Sequence, residues 1–393
     1  MMSCVAQASA ARPTLEIADI VRDHGAALRL EQALRPEQAA VLRAILACRT
    51  AALGGHLDVC DVCHEERNSY NSCRNRHCPK CQSPAQAKWI AERERRILPV
   101  GHFHVVFTVP DTLHRLAAFR REPVFDLLLR TASQTLLELA RTRLGAQLGI
   151  TTVLHTWTRD LRFHPHAHAI VTSGGRSLDG TRWIPSRRDF LFPVRVIGEL
   201  FRGKFLAGLN TLYAEGVFAG FDDFADPEAF DRMMRKLARK KWVVYAKKPF
   251  GTASHVLRYL GRYTHRVGIS NRRLLSMHDG QVTFATKNGD TCTLTGVGFL
   301  RRFVQHVLPT RFVKIRHCGI YASSNVDTAL AHARTLLGAT MPVAPPDPVG
   351  ASSSPPGVDD VPQLTTEFDL RSCPRCNVGR MVARPLPEVP NTS

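Results

Sequence analysis

The stretch His164-Pro165-His166-Ala167-His168-Ala169-Ile170-Val171 decides how the chain is read, because three histidines alternate strictly before an apolar run. In an extended segment successive side chains point to opposite faces. His164, His166, His168 and Ile170 then share one face, and Pro165, Ala167, Ala169 and Val171 the other. Neutral imidazoles at i and i+2 on a rigid strand have a fixed separation and direction, which suits a divalent cation. A hydrolase of the His-x-His-x-Asp-His kind would want an acid where Ile170 stands, which argues against that chemistry.

Working outward, Phe103–Val109 predicts another strand, with apolar odd positions and His102, His104 and Thr108 on the opposite face. Residues 124–147 predict a helix and Thr152–Trp157 a strand leading into the histidines. This strand–helix–strand–strand–helix order gives an α+β class, helices packing on one face of an antiparallel sheet. Upstream, Glu16–Cys48 has helical character divided by Pro36, and a basic helix is expected through Ala87, Trp89, Ile90 and Arg96. Downstream, Arg232–Lys241 and His255–His265 predict helices, and Val282–Thr286, Cys292–Thr295 and Phe312–Arg316 short strands. Residues 341–362 shift to Pro, Ser, Gly and Ala, the composition of a linker.

Lys and Arg outnumber Asp and Glu 53 to 34, a net charge of +19 that favours a polyanionic partner, above all nucleic acid. No apolar run is long enough to span a bilayer, and the N-terminal residues make a poor signal peptide, so a cytoplasmic protein is expected. The eleven cysteines then read as metal ligands and buried thiols, not as a disulfide frame.

Cys60-x2-Cys63 and Cys78-x2-Cys81, fourteen residues apart, have ribbon-type zinc spacing. The expected structural zinc ligands are Cys60, Cys63, Cys78 and Cys81, with Cys73 and His77 as spare candidates. Arg74, Arg76, Lys80 and Lys88 beside them suit a DNA-docking module. The Cys373/Cys376 pair is half a site that needs two more ligands, for which Cys318 and His317 are the available guesses. In Ser254–Arg266, Tyr259 and Tyr263 would sit one above the other on a helix, next to a stripe of His255, Arg258, Arg262 and Arg266. Guanidinium groups beside a phenol can bring a phosphate to it, since arginine binds phosphate oxygens bidentately.

Three segments together carry a family resemblance: Ser69–Gln82 with its cysteines, Leu154–Trp157 running into His164–His168, and Tyr259–Arg266. They resemble the two-tyrosine HUH transposases of rolling-circle bacterial insertion sequences, over roughly residues 43–323. The resemblance implies an HUH endonuclease-type antiparallel sheet with helices on its face, preceded by a small zinc-ribbon-like module. It implies a metal-dependent nuclease and strand transferase on single-stranded DNA, with Mg²⁺ or Mn²⁺ on His166 and His168. The third ligand would be His164, His104 or His265, in falling order, and Tyr259 and Tyr263 the nucleophiles. Arg74, Arg76, Arg258, Arg262 and Arg266 would meet DNA. Thr172-Ser173-Gly174-Gly175 reads as a loose version of a glycine-rich turn, and His317-Cys318-Gly319 stands where an aromatic residue is expected.

The expected division is a helical segment over 1–50, a zinc module over 51–98, a catalytic domain over 99–338 and a linker with a Cys-x2-Cys tail over 339–393. No membrane or small-molecule partner is expected, and the cellular place would be a bacterial nucleoid. Rival readings are an HUH replication initiator or relaxase, which the zinc block disfavours, and a non-catalytic DNA-binding regulator descended from such an enzyme.

Overall fold

The computed structural model describes residues 15–94, 96–187, 189–226, 228–250, 261, 268–340 and 372–385. The helices are α1 Ile17–Glu31, α2 Pro36–Ala47, α3 Pro79–Glu94, α4 His114–Phe119, α5 Arg121–Leu139, α6 Val194–Ala214, α7 Ala229–Arg239, α8 Gly296–Val304 and α9 Ala331–Thr340. The strands are β1 Gly55–Cys60, β2 Glu66–Tyr70, β3 His102–Thr108, β4 Ala146–Trp157, β5 Phe163–Ser177, β6 Trp183–Pro185, β7 Val244–Phe250, β8 Leu274–His278, β9 Gln281–Ala285, β10 Thr291–Thr295, β11 Ile315–Gly319 and β12 Met381–Pro385. Two compact units result, one from Met1–Gln82, Ser270–Leu300 and Val349–Ser393, the other from Ser83–Ile269 and Arg301–Pro348.

In the first unit Pro36 opens α2 at its first helical position, where a missing N–H costs nothing, so the expected division of the helical segment is present. Glu16 and Asp19 cap the start of α1 reciprocally. β1 and β2 form an antiparallel hairpin, and β12 pairs with the other edge of β1, giving the order β12-β1-β2. The expected separate C-terminal tail thus supplies a strand to the N-terminal module. A second three-stranded sheet runs β10-β9-β8.

The second unit is built on an antiparallel sheet in the order β11-β4-β5-β3-β7, with β6 also paired to β5. β5 is the histidine strand, and its period-two alternation holds. Ala167, Ala169 and Val171 join Phe103, Val105 and Phe107 of β3 and Leu148, Ile150 and Leu154 of β4 in the main core. Val124, Leu128 and Leu136 of α5 and Ile197, Phe201 and Phe205 of α6 cover that face. On the opposite face Ile170 and Val153 pack with Trp89, Ile97 and Ile315.

Three local expectations are corrected. The helix expected to reach Gln147 ends at Leu139, passes through a π-turn at Ala140–Leu144 and stops at left-handed Gly145, so Gln147 already lies in β4. The strand expected at Phe312–Arg316 begins at Ile315, because Phe312 is spent on the core. Thr172–Gly175 is no turn: β5 continues to Ser177, with a register shift opposite Leu148/Ile150. A Cβ on Gly175 would lie 2.3 Å from the Gln147 carbonyl oxygen, so the glycine allows close strand approach at that irregularity. The helix expected at His255–His265 lies outside the described residues apart from Gly261, which is helical.

Two fully buried histidines tie this fold to pH. His306 Nε2 donates to the Leu161 carbonyl at 3.1 Å, and Nδ1 pairs with the Thr156 hydroxyl at 3.1 Å. His102 Nδ1 donates to the Val100 carbonyl at 2.8 Å, and Nε2 pairs with the Tyr321 hydroxyl at 2.8 Å. Burial pushes both imidazoles down to about 4, from an ordinary 6.5. Unfolding returns them to the ordinary value, so between pH 6.5 and 4 the unfolded chain binds more protons and stability falls as the pH drops. Urea unfolding followed from pH 7 to 4 should show the midpoint falling below pH 6.5 and levelling near 4. The loss should be roughly 3 kcal/mol for each such histidine, and His306→Gln should flatten part of it.

Candidate functional site

The pairing of β4 with β5 sets His155 directly opposite His166, and His168 follows two residues on along the same face. One ring nitrogen from each of His155, His166 and His168 lies within 4.8 Å of the others. Ring centroids are 4.4 Å apart for His155 and His168, 4.9 Å for His166 and His168, and 5.4 Å for His155 and His166. Trp157 stacks on His155 at 4.4 Å and 20°, which fixes the plane of that ring.

The hydrogen bonds behind these rings orient them. His166 Nδ1 donates to the His164 carbonyl at 2.7 Å, which leaves the lone pair on Nε2. His168 Nδ1 lies 2.7 Å from Nε2 of buried His104 on β3, the two rings stacked at 5.0 Å. With His104 accepting, the His168 lone pair is likewise on Nε2, the tautomer a metal requires. Burial holds His166 down at about 4, His104 at about 3 and His168 well below its ordinary value, so all three are neutral at pH 7. A neutral all-nitrogen donor set on two adjacent strands fits a divalent transition cation.

Among the described residues the histidine that gathers with His166 and His168 is not one of the three expected as third ligand. His164 is on the same strand, but its ring centroid is 5.3 Å from His166 and 5.5 Å from His114, and the converging set contains His155 instead. His104 stands behind His168 rather than beside a shared ion, and His265 lies outside the described residues. The signal for His155 was its place in the strand before the histidine run, visible only once the hairpin register is known. Tyr259, Tyr263, Arg258, Arg262 and Arg266 also lie outside the described residues. Gly261, between the tyrosines, is buried beside Ile90 of α3.

The cysteines likewise sort differently from the spacing rule. Cys60, Cys63, Cys78 and Cys81 do not converge. Cys78 and Cys81, at the start of α3, gather with Cys73 and with Cys48 at the end of α2. Sulfur separations there are 3.5 Å for Cys48–Cys81 and 3.7 Å for Cys73–Cys81. Cys60 and Cys63 gather instead with Cys373 and Cys376, so Cys318 and His317 are not their partners. The hairpin is the reason. Cys60 and Cys63 sit at its turn, whereas Cys73 follows the far end of β2, beside Gly54 and Arg49. Six residues of strand separate those ends by about 20 Å, far more than one ion can bridge. Burial opposes ionisation of Cys81, but hydrogen bonds from Cys48, Cys73 and Cys78 outweigh it and lower the thiol. His77 turns to Asn75 instead, 3.2 Å from its side-chain oxygen. Arg74 and Arg76 are exposed around this cluster, while Lys80 is held by Glu16 at 2.5 Å.

An antiparallel sheet carrying convergent histidines and a cysteine-rich module within one chain are what a transposase with a zinc-binding domain carries, and the chain belongs to the insertion-sequence transposases. The family described as "Putative transposase" matches residues 149–328, and "Transposase zinc-binding domain" matches residues 20–109. The chain is 42% identical over 384 residues to putative transposase y4qJ of Sinorhizobium fredii, covering 95% of each protein. It is 29% identical over 314 residues to the transposase for insertion sequence element IS801 of Pseudomonas savastanoi pv. phaseolicola, covering 75% of this chain and 72% of that one. No solved structure matches it significantly. Among the described residues no helix is long and apolar enough to cross a membrane.

The site geometry sets an order among the histidines. His155→Ala should abolish Mn²⁺ binding to the sheet face, and His104→Ala should weaken it by about 10- to 100-fold, as expected for a residue that orients a ligand. His164→Ala should change it little. Calorimetric Mn²⁺ titration of the three variants checks this ranking.

Proposed function

We propose that this transposase nicks and rejoins single-stranded DNA through a 5′-phosphotyrosine intermediate, as in rolling-circle transposition. The convergence of His155, His166 and His168, with His166 and His168 oriented by hydrogen bonds, carries the reading. These three residues would hold Mg²⁺ or Mn²⁺, which when bound supplies Lewis-acid polarisation of the scissile phosphate. Three protein nitrogens leave coordination positions open for phosphate oxygens, unlike a closed four-thiolate site.

Tyr259 and Tyr263 are the nucleophiles in this reading, a role that rests on the family resemblance. The phenol of one loses its proton to a base and its oxygen attacks phosphorus. The P–O3′ bond breaks, the 3′ oxygen takes a proton, and the 5′ phosphate remains esterified to tyrosine. Because the phosphoester energy is conserved, the 3′-OH of another strand can reverse the step and join the ends. Two tyrosines let one hold a 5′ end while the other makes the next cut. Arg258, Arg262 and Arg266 would neutralise the phosphates nearby, and exposed Arg74 and Arg76 would contact DNA from the cysteine module. Cys48, Cys73, Cys78 and Cys81 would hold a structural zinc in that module.

The test is adduct formation on labelled single-stranded element-end oligonucleotides with Mn²⁺. Tyr259→Phe and Tyr263→Phe should each still form some adduct but fail to complete strand transfer, and the double variant should form none. His166→Ala/His168→Ala should bind DNA without cleaving it. An adduct mapped by mass spectrometry to any other residue would overturn the nucleophile assignment. No adduct with the native chain would favour a DNA-binding regulator.

A further inference from the structure

We propose that Cys60, Cys63, Cys373 and Cys376 form a second structural zinc site, which staples the C-terminal segment onto the N-terminal module. Nothing in the zinc-binding match over residues 20–109 reaches the second pair of thiols. The two pairs come from segments 310 residues apart, yet Cys63 and Cys373 sulfurs are 3.5 Å apart and those of Cys60 and Cys376 3.7 Å. Neither contact is a covalent bond, since all four are free thiols. Cys60 and Cys373 are completely buried.

Both halves are built alike, which is what a pair of zinc knuckles requires. The His64 amide donates to the Cys60 carbonyl at 3.2 Å, and the Asn377 amide to the Cys373 carbonyl at 3.0 Å. The residue after the second cysteine is left-handed in each, His64 at φ 58 and Asn377 at φ 55. Backbone amides point at the sulfurs: Cys63 N to Cys60 at 3.4 Å, Arg375 N to Cys373 at 3.4 Å and Gly379 N to Cys376 at 3.3 Å. Amides aimed at sulfur stabilise the thiolate, the form that binds metal. Four cysteine sulfurs, with no fifth ligand gathered among the described residues, suit tetrahedral zinc in a structural role, not an open catalytic one.

The surroundings lock the two halves together. β12 continues from the C-terminal knuckle and pairs with β1 over five residues, Cys60 opposite Met381. The Asp61 side chain accepts from the Arg380 amide at 2.7 Å, the Asp61 amide donates to the Arg380 carbonyl at 3.0 Å, and Arg375 meets Glu65 at 2.7 Å. Gly379 fits so tightly that a Cβ there would stand 2.5 Å from the Cys60 sulfur.

Zinc stoichiometry of the full chain by native mass spectrometry tests the assignment, independently of DNA chemistry. The native protein should carry two zinc ions, Cys373→Ser/Cys376→Ser one, and Cys48→Ser/Cys73→Ser the other one. A single zinc in the native chain, or two retained by the Cys373/Cys376 variant, would overturn it. Because a substituted knuckle could misfold, a protease site inserted between Pro356 and Gly357 gives a second measurement. After cleavage the C-terminal fragment should co-elute with the body of the protein and separate only when a zinc chelator is added. A fragment that leaves without chelator, or stays with it, would equally overturn the staple.

Discussion

The alternation of side chains along β5 is the constraint from which the histidine-bearing unit follows. With β4 on one side and β3 on the other, each residue of β5 is committed to one of two environments. Ala167, Ala169 and Val171 fall into the layer under α5 and α6, so the strand cannot slip by one residue without burying its histidines in that core. The apolar face therefore fixes the direction of the imidazoles. Neighbouring strands then supply what the histidines lack: His155 as a third nitrogen from β4, and His104 from β3 to orient His168.

Burial does a second job at this face. It makes the charged imidazolium unfavourable, so the rings present lone pairs instead of protons. In the cysteine clusters backbone amides point at the Cys373 and Cys376 sulfurs, and neighbouring thiols favour deprotonated Cys81, whereas burial pushes Cys73 and Cys78 up. One environment is nitrogen-rich and leaves coordination open, the other sulfur-rich and closed. That difference suits the two environments to different cations by ligand softness and geometry.

Much of this was legible in the residues because it is local. Alternation named the strand and its two faces, Pro36 divided the helices, and the family-like order of motifs pointed to a transposase. What was missed is non-local. His155 is eleven residues from His166, and only the register of the β4–β5 hairpin makes them neighbours. The zinc-ribbon rule treated Cys60–Cys81 as one compact block, although β1 and β2 hold its two ends apart. Cys48 carried no spacing signal because it caps a helix, and the Cys373/Cys376 pair looked orphaned because its partners are 310 residues away. Gly174 and Gly175 resembled a turn, since glycine marks close backbone approach as well as reversal.

The pairing of β12 with β1 also gives the molecule a clock. The middle strand of that three-stranded sheet is made well before its outer neighbour β12. At about 5–20 residues per second, the 310 residues between the two knuckles take roughly 15 to 60 s to synthesise. Throughout that interval the edge of β1 that β12 will occupy is unsatisfied, and Cys60 and Cys63 await their partners. The cysteine module is thus completed after translation of the histidine-bearing unit, so a chain broken off before residue 373 carries the histidine face without a finished module.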